Sequence, residues 1–101
     1  MKREPKAFDA SKFFATPESQ AELLADAFET GHAGYITQAL GTVARARGMS
    51  EVAREAGVTR EALYKALSGR GDPKLSTLLG IARALGVQLT ISREPENTAA
   101  E

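Results

Sequence analysis

Apolar residues recur every three or four positions over most of the chain, which is the spacing of amphipathic helices. The pattern predicts helices over residues 16–30, 33–47 and 75–85, and two shorter helices within residues 50–69. Glycines follow the ends of these segments, where a helix ends most easily. We therefore expect an all-α domain of five helices.

Residues 87–91 depart from the helical spacing. Their sequence, VQLTI, alternates apolar with polar side chains and includes β-branched residues, which is typical of a short strand. A single strand needs a hydrogen-bonding partner, which we expect from residues 8–14, from a second copy of the chain or from another protein. We accordingly divide the chain into an N-terminal arm (1–15), a helical domain (16–86) and a short strand with a disordered tail (87–101).

Residues 50–69 predict a helix-turn-helix, because their two helical patterns are separated by too few residues for anything except a tight corner. Ser50 and Thr59 carry hydroxyl groups that can cap the starts of the two helices. Gly57 falls at the corner, where the chain needs a residue that tolerates positive φ. Ala53 is small enough to let the two helices cross closely.

The second of these helices leaves long polar side chains on its outer face. Such side chains on the first turns of an exposed helix can enter the major groove of DNA and reach base edges. The predicted DNA contacts from this region are Arg60, Glu61, Tyr64, Lys65 and Arg70, together with Ser50 at the start of the preceding helix. The alternative is a solvated helix hairpin in which Glu61 and Lys65 form only a supporting i,i+4 pair.

Charge is segregated along the chain, although 13 basic and 13 acidic residues balance overall. Residues 41–86 contain eight Lys or Arg and four Asp or Glu, a net charge of plus four, whereas residues 1–40 and 87–101 each carry minus two. The positive charge therefore coincides with the predicted helix-turn-helix. A net charge this small favours a limited contact area that includes base contacts over non-specific binding along DNA.

An acidic stripe follows one face of the first long helix, because four carboxylates recur there at spacings of four, four and three residues. The stripe comprises Glu18, Glu22, Asp26 and Glu29. A solvated face is the ordinary explanation, and contact with a basic partner is the alternative. Phe13 and Phe14 lie just before this helix, and we expect them to dock either on the chain's own core or on a partner.

The chain lacks the residues that most catalytic and metal sites require. It has no cysteine and a single histidine, His32, so it cannot form a thiolate site, a histidine cluster or a histidine-based triad. We expect no enzyme activity, no metal and no cofactor. No apolar run reaches the length of a membrane span, and the absence of cysteine fits a reducing cytoplasm.

Residues 8–89 resemble the addiction-module antidote proteins, the compact antitoxins of HigA-like type. The most specific segments are ARARGMS, AREAGVTREALYKALSG and the GxP turn at residues 71–73, whereas the helix-turn-helix alone resembles the larger family with the phage-repressor fold. The resemblance implies a five-helix, phage-repressor-like DNA-binding domain that forms dimers. It also implies binding to a RelE- or HigB-like ribonuclease toxin encoded beside it and repression of the shared operon. By position, it adds Thr59 to the groove-facing residues.

Two interpretations remain at this point: an autorepressing antitoxin, or a stand-alone helix-turn-helix regulator without a toxin. For the toxin, the predicted contacts are Phe13, Phe14 and the acidic stripe. For a homodimer that binds a palindromic operator, the predicted contacts are Val87, Leu89 and Ile91.

Overall fold

Five α-helices follow one short 3-10 helix (Ala10–Phe13) in residues 10–94, the part of the chain that the computed structural model describes. The helices are α1 (Pro17–Thr30), α2 (Ala33–Arg47), α3 (Met49–Ala56), α4 (Arg60–Ala66) and α5 (Leu75–Ala84). The predicted all-α class is confirmed, and the bounds of α1 and α2 agree with the helical pattern of the sequence. The predicted arm up to residue 9 and the predicted disordered tail from residue 95 lie outside the described residues.

Helix α1 has a start and an end that its own sequence dictates. At its start, the Thr16 hydroxyl accepts a hydrogen bond from the Ser19 N–H at 3.0 Å, and the Ser19 hydroxyl accepts one from the Thr16 N–H at 3.3 Å. Pro17 occupies the first helical position, where no N–H is needed. Gly31 ends the helix in the left-handed region, with φ of 67°.

Helices α3 and α4 meet at a corner of three residues, as the sequence predicts. Gly57 adopts φ of 79°, and the Val58 N–H donates to the Ala53 carbonyl at 3.0 Å. Thr59 caps α4, because its hydroxyl accepts a hydrogen bond from the Ala62 N–H at 3.0 Å. Ala53 is buried between the helices.

The predicted role of Ser50 as a helix cap is wrong. Helix α3 begins one residue earlier, at Met49, and Ser50 lies exposed inside its first turn. Gly48 alone joins the two helices: its N–H donates to the Ala44 carbonyl at 2.8 Å, and its carbonyl accepts from the Val52 N–H at 3.0 Å. A φ of 108° lets the chain change direction at this single glycine, so no room remains for a separate capping residue.

The core forms where all five helices meet. Its largest fully buried side chains are Leu40, Val43, Val52, Leu63, Ile81 and Leu85. Two glycines allow the closest approaches around it. A Cβ atom on Gly80 of α5 would lie 2.9 Å from the Ala56 carbonyl oxygen at the end of α3, a distance that is too short for any other residue. A Cβ atom on Gly41 of α2 would lie 3.4 Å from the Leu67 carbonyl oxygen, so α2 and the end of α4 also pack closely here.

Residues 87–91 follow α5 without forming a helix or a strand, so the predicted strand is wrong for the described part of the chain. Val87 and Leu89 are half-buried against the helices, and Ile91 is 94% exposed. Val87 and Leu89 thus bury part of their apolar surface on helices and not within a sheet, whereas Ile91 does not.

The segment predicted to pair with this strand takes another conformation. Within residues 8–14, Ala10–Phe13 form the 3-10 helix, which packs against α2, and residues 8 and 9 lie outside the described part. Phe14 is half-buried and Phe13 is 67% exposed. Phe14 is therefore the less exposed of the two phenylalanines.

Arg47, the last residue of α2, is the centre of a hydrogen-bond network that joins four parts of the domain. Its Nε donates to Gln20 Oε1 at 2.9 Å, and its Nη2 donates to the Leu85 carbonyl oxygen at 2.8 Å. Gln20 is buried, and its Nε2 donates in turn to the Phe14 carbonyl oxygen at 2.8 Å. This network joins the N-terminal arm, α1, α2 and the end of α5.

We predict that Arg47→Met destabilises the protein by about 1–3 kcal/mol, because it leaves Gln20 and the Leu85 carbonyl without their charged donor. Chemical denaturation measures the change in free energy of unfolding. The matched control is Arg83→Met, at an exposed position on α5, which should change stability by less than about 0.5 kcal/mol. Equal effects of the two substitutions would contradict the role given to the network.

Candidate nucleic-acid interface

Helix α4 turns its apolar side chains inward and its long polar side chains outward. Leu63 is fully buried, and Leu67 at the end of the helix is nearly so. Arg60, Glu61 and Lys65 are exposed, and Tyr64 is 46% exposed. The outer face that the sequence predicts for this helix is thus open to a ligand.

Arg60 and Tyr64 contact each other on this face. The Arg60 Nη2 donates a hydrogen bond to the Tyr64 hydroxyl at 3.2 Å, and the guanidinium carbon lies 5.4 Å from the centre of the ring. The hydrogen bond and the cation–π contact favour this orientation of the guanidinium at the start of the helix. Its remaining N–H groups keep the planar arrangement that suits bidentate acceptors.

The other predicted contact residues of α4 have different surroundings. The Thr59 hydroxyl serves as the cap of the helix and keeps its own O–H as a donor. No ion pair joins Glu61 to Lys65 within the part of the chain that the structure describes. The supporting i,i+4 pair that a solvated hairpin would use is therefore not formed, and both side chains remain exposed.

A basic cleft of about 440 Å³ lies between α4 and the start of α5. Lys65, Arg70 and Lys74 contribute positive charge to its lining, against the single carboxylate of Asp72. The turn that carries Arg70 packs tightly on α4, because a Cβ atom on Gly71 would lie 1.9 Å from the Ala66 carbonyl oxygen. Lys74 was not among the predicted contacts, although its position directly after the GxP turn could have indicated it. Ser50 does not line this cleft.

The acidic stripe is exposed along α1, as the sequence predicts. One of its members is held from α2, because the Tyr35 hydroxyl donates to Asp26 Oδ2 at 3.1 Å. This hydrogen bond, together with desolvation and the charge of the carboxylate, raises the pKa of Tyr35 above its ordinary value. The described structure shows no comparable partner for Glu18, Glu22 or Glu29.

An apolar groove of about 310 Å³ lies between α1, α5 and the segment that follows α5. Its lining comprises Ala21, Leu24, Ala25, Phe28, Leu40, Leu78, Ala82 and residues 87–90. Two of the predicted dimer contacts, Val87 and Leu89, thus face this groove, whereas Ile91 lies outside it. The groove was not among the features predicted from the sequence. The sequence pattern that could have indicated the groove is the repeat of Ala21, Ala25 and Phe28. It makes the apolar face of α1 wider than its contact with α2 requires.

Residues 10–94 contain neither a metal-binding cluster nor a membrane-spanning helix. No group of three or more histidine or acidic side chains in this range is arranged to hold a metal ion. None of the helices in the same range has the length and apolar character needed to cross a membrane.

Comparison with known proteins identifies the family. Residues 4–93 match the family model described as "Probable addiction module antidote protein". An uncharacterised protein of Haemophilus influenzae (strain Rd) is 38% identical over 93 residues, which cover 92% of this chain and 96% of that protein. No solved structure shows significant similarity to the chain. The match over nearly the whole length shows that this chain belongs to the family of probable addiction module antidote proteins.

Proposed function

We propose that the chain is the antitoxin of a toxin–antitoxin module. In this proposal it neutralises a RelE- or HigB-like ribonuclease toxin and represses its own operon by binding a palindromic operator in the cytoplasm. Membership of an antidote family implies a toxin partner of some kind. The observation that supports DNA binding best is the Arg60–Tyr64 pair on an exposed helix beside the basic cleft.

Helices α3 and α4 would act as a helix-turn-helix, with α4 in the major groove. Arg60 stands on the first turn of α4, where a guanidinium held by Tyr64 can meet O6 and N7 of guanine. Lys65, Arg70 and Lys74 would meet backbone phosphates, because the cleft that they line lies beside the same helix. Thr59, Glu61 and Ser50 remain proposed contacts of the same surface.

Specific operator binding would require two copies, because one recognition helix covers few base pairs. In a two-fold dimer the recognition helices lie about 34 Å apart and meet successive turns of the major groove. The proposed dimer contact lies in the segment after α5. In the described residues, the backbone groups of residues 88–91 form no hydrogen bond, so their edge is open to the same segment of a second copy. Ile91 is the exposed apolar side chain of that edge.

The toxin contact would include the acidic stripe, because a ribonuclease needs a basic surface to hold RNA. Phe13 is exposed and offers an apolar side chain to a partner, whereas Phe14 is half-buried and its carbonyl is bonded to Gln20. The stripe lies on α1 and the proposed DNA contacts on α3, α4 and the turn before α5. Toxin and operator could therefore be bound at the same time, as repression by the complex requires.

We predict that Arg60→Ala relaxes operator specificity, because it removes about 1–3 kcal/mol of discrimination at one base pair. Arg70→Ala should instead weaken binding to all sequences alike and lower the slope of log affinity against log salt by about one. Gel shifts with the operator and a scrambled duplex measure both effects. Unchanged operator affinity in folded Arg60→Ala would contradict the assignment of α4 as the recognition helix.

We predict that Ile91→Asp weakens the homodimer by at least about tenfold, since it places two charges at an apolar contact. Sedimentation measures the dimer, and Ser92→Asp, at the next exposed position, is the matched control and should remain dimeric. If both variants remain dimeric, the contact lies elsewhere. The exposed leucines of α5, Leu75 and Leu79, are then the next surface to substitute.

We predict that the product of the reading frame adjacent to this gene arrests growth when expressed alone, and that co-expression of this chain relieves the arrest. The two proteins should then purify together through a tag on either one. A neighbouring product that neither arrests growth nor binds this chain would favour the stand-alone regulator and contradict the antitoxin.

A further inference from the structure

We propose that the apolar groove between α1 and α5 is the docking site for the toxin, and that its occupant is a basic amphipathic helix. Such a helix carries one apolar stripe bordered by Lys or Arg. This inference rests on the proposed function, because it takes a toxin as the partner. It goes further by naming the surface of this chain and the chemistry of the segment that fills it.

The shape of the groove suits the apolar stripe of a helix. Leu24, Leu40 and Ala82 form its buried base, and Phe28 and Leu78 add half-buried side chains. Ala21 and Ala25 are exposed at its α1 side, where their small side chains leave room for those of a partner. Partners of this kind insert apolar side chains at helical spacing into a groove that is already formed.

The acidic stripe borders the same groove. Residues of a helix are offset by about 100° each, so the centre of the stripe lies about 90° around α1 from the centre of Ala21, Ala25 and Phe28. Glu18 and Glu29 are the members nearest to the groove on this projection. Helix α1 therefore presents an apolar strip and, directly outside it, a row of carboxylates.

The negative charge beside the groove favours a basic protein over the other molecules that could bind there. DNA would bring its phosphates towards the carboxylates, and a second copy docked groove to groove would bring its own acidic stripe against this one. A basic partner gains attraction at the rim and apolar contact at the base. The groove and the basic cleft also have no lining residue in common, so filling one leaves the other open.

The first test fills the groove. Ala25→Trp adds a large side chain at an exposed position in the lining of the groove. It should weaken toxin binding by at least about tenfold, because the tryptophan occupies space that an apolar side chain of the toxin would fill. Ala46→Trp is the matched control at an exposed position of α2 that does not line the groove, and it should leave toxin affinity unchanged. Titration calorimetry with the purified product of the adjacent reading frame measures both, and thermal melting shows that both variants are folded.

The second test reverses two charges of the acidic stripe, which forms the rim of the groove on α1. Glu22→Lys with Glu29→Lys preserves the bond between Tyr35 and Asp26 and should weaken toxin binding by about tenfold at low salt. This loss of toxin affinity should become smaller at higher salt, because salt screens the charges of the acidic stripe. Glu55→Lys with Asp72→Lys gives the same change in net charge away from the groove and should leave toxin affinity within about twofold, since screening limits distant charges.

The outcomes separate the docking site from the function. If the wild-type chain binds the toxin and Ala25→Trp binds it equally well, the groove is not the docking site although the protein is an antitoxin. If Ala25→Trp converts a dimer into a monomer, the groove belongs to a second copy and the proposal is overturned. Failure of the wild-type chain to bind the toxin at all would overturn the proposed function and the docking site together.

Discussion

The position of α4 depends on backbone contacts at both of its ends. A helix of seven residues is too short to be stable alone. At its start, it is joined by a three-residue corner to α3, whose end lies so close to α5 that only glycine fits at position 80. At its far end, the Leu67 backbone lies against Gly41 of α2. These two contacts allow α4 to bury Leu63 while it presents Arg60 and Tyr64 outward.

The charges of the protein are divided between two surfaces with different surroundings. Lys65, Arg70 and Lys74 meet around a cleft whose geometry is set by the tight turn at Gly71. The acidic stripe occupies α1, next to an apolar groove. A chain with zero net charge can thus offer one surface to a polyanion and another to a basic protein, because screening at physiological salt limits each field to about 8 Å.

Much of the fold could be predicted because its signals act within one helical turn. Thr16 and Thr59 accept hydrogen bonds from N–H groups three residues ahead, and Gly31 and Gly57 adopt positive φ at helix ends. These interactions are the same wherever the segment lies in the fold. Exposure of the outer face of α4 followed from helical period in the same way. Ser50 shows the limit, since a suitable capping residue is not used when a neighbouring glycine already joins the two helices.

By itself, the sequence determined the five helices, the corner between α3 and α4 and the charge of each face. These depend on backbone conformation and on the period of 3.6 residues, which are local properties. Only the tertiary structure decided that Val87 and Leu89 pack on helices while residues 87–91 form no strand in the described chain, and that Arg47 connects Gln20 to Leu85. It also decided that an apolar groove remains beside α1. These features depend on contacts between residues far apart in the chain, and no local pattern specifies which of those residues will meet.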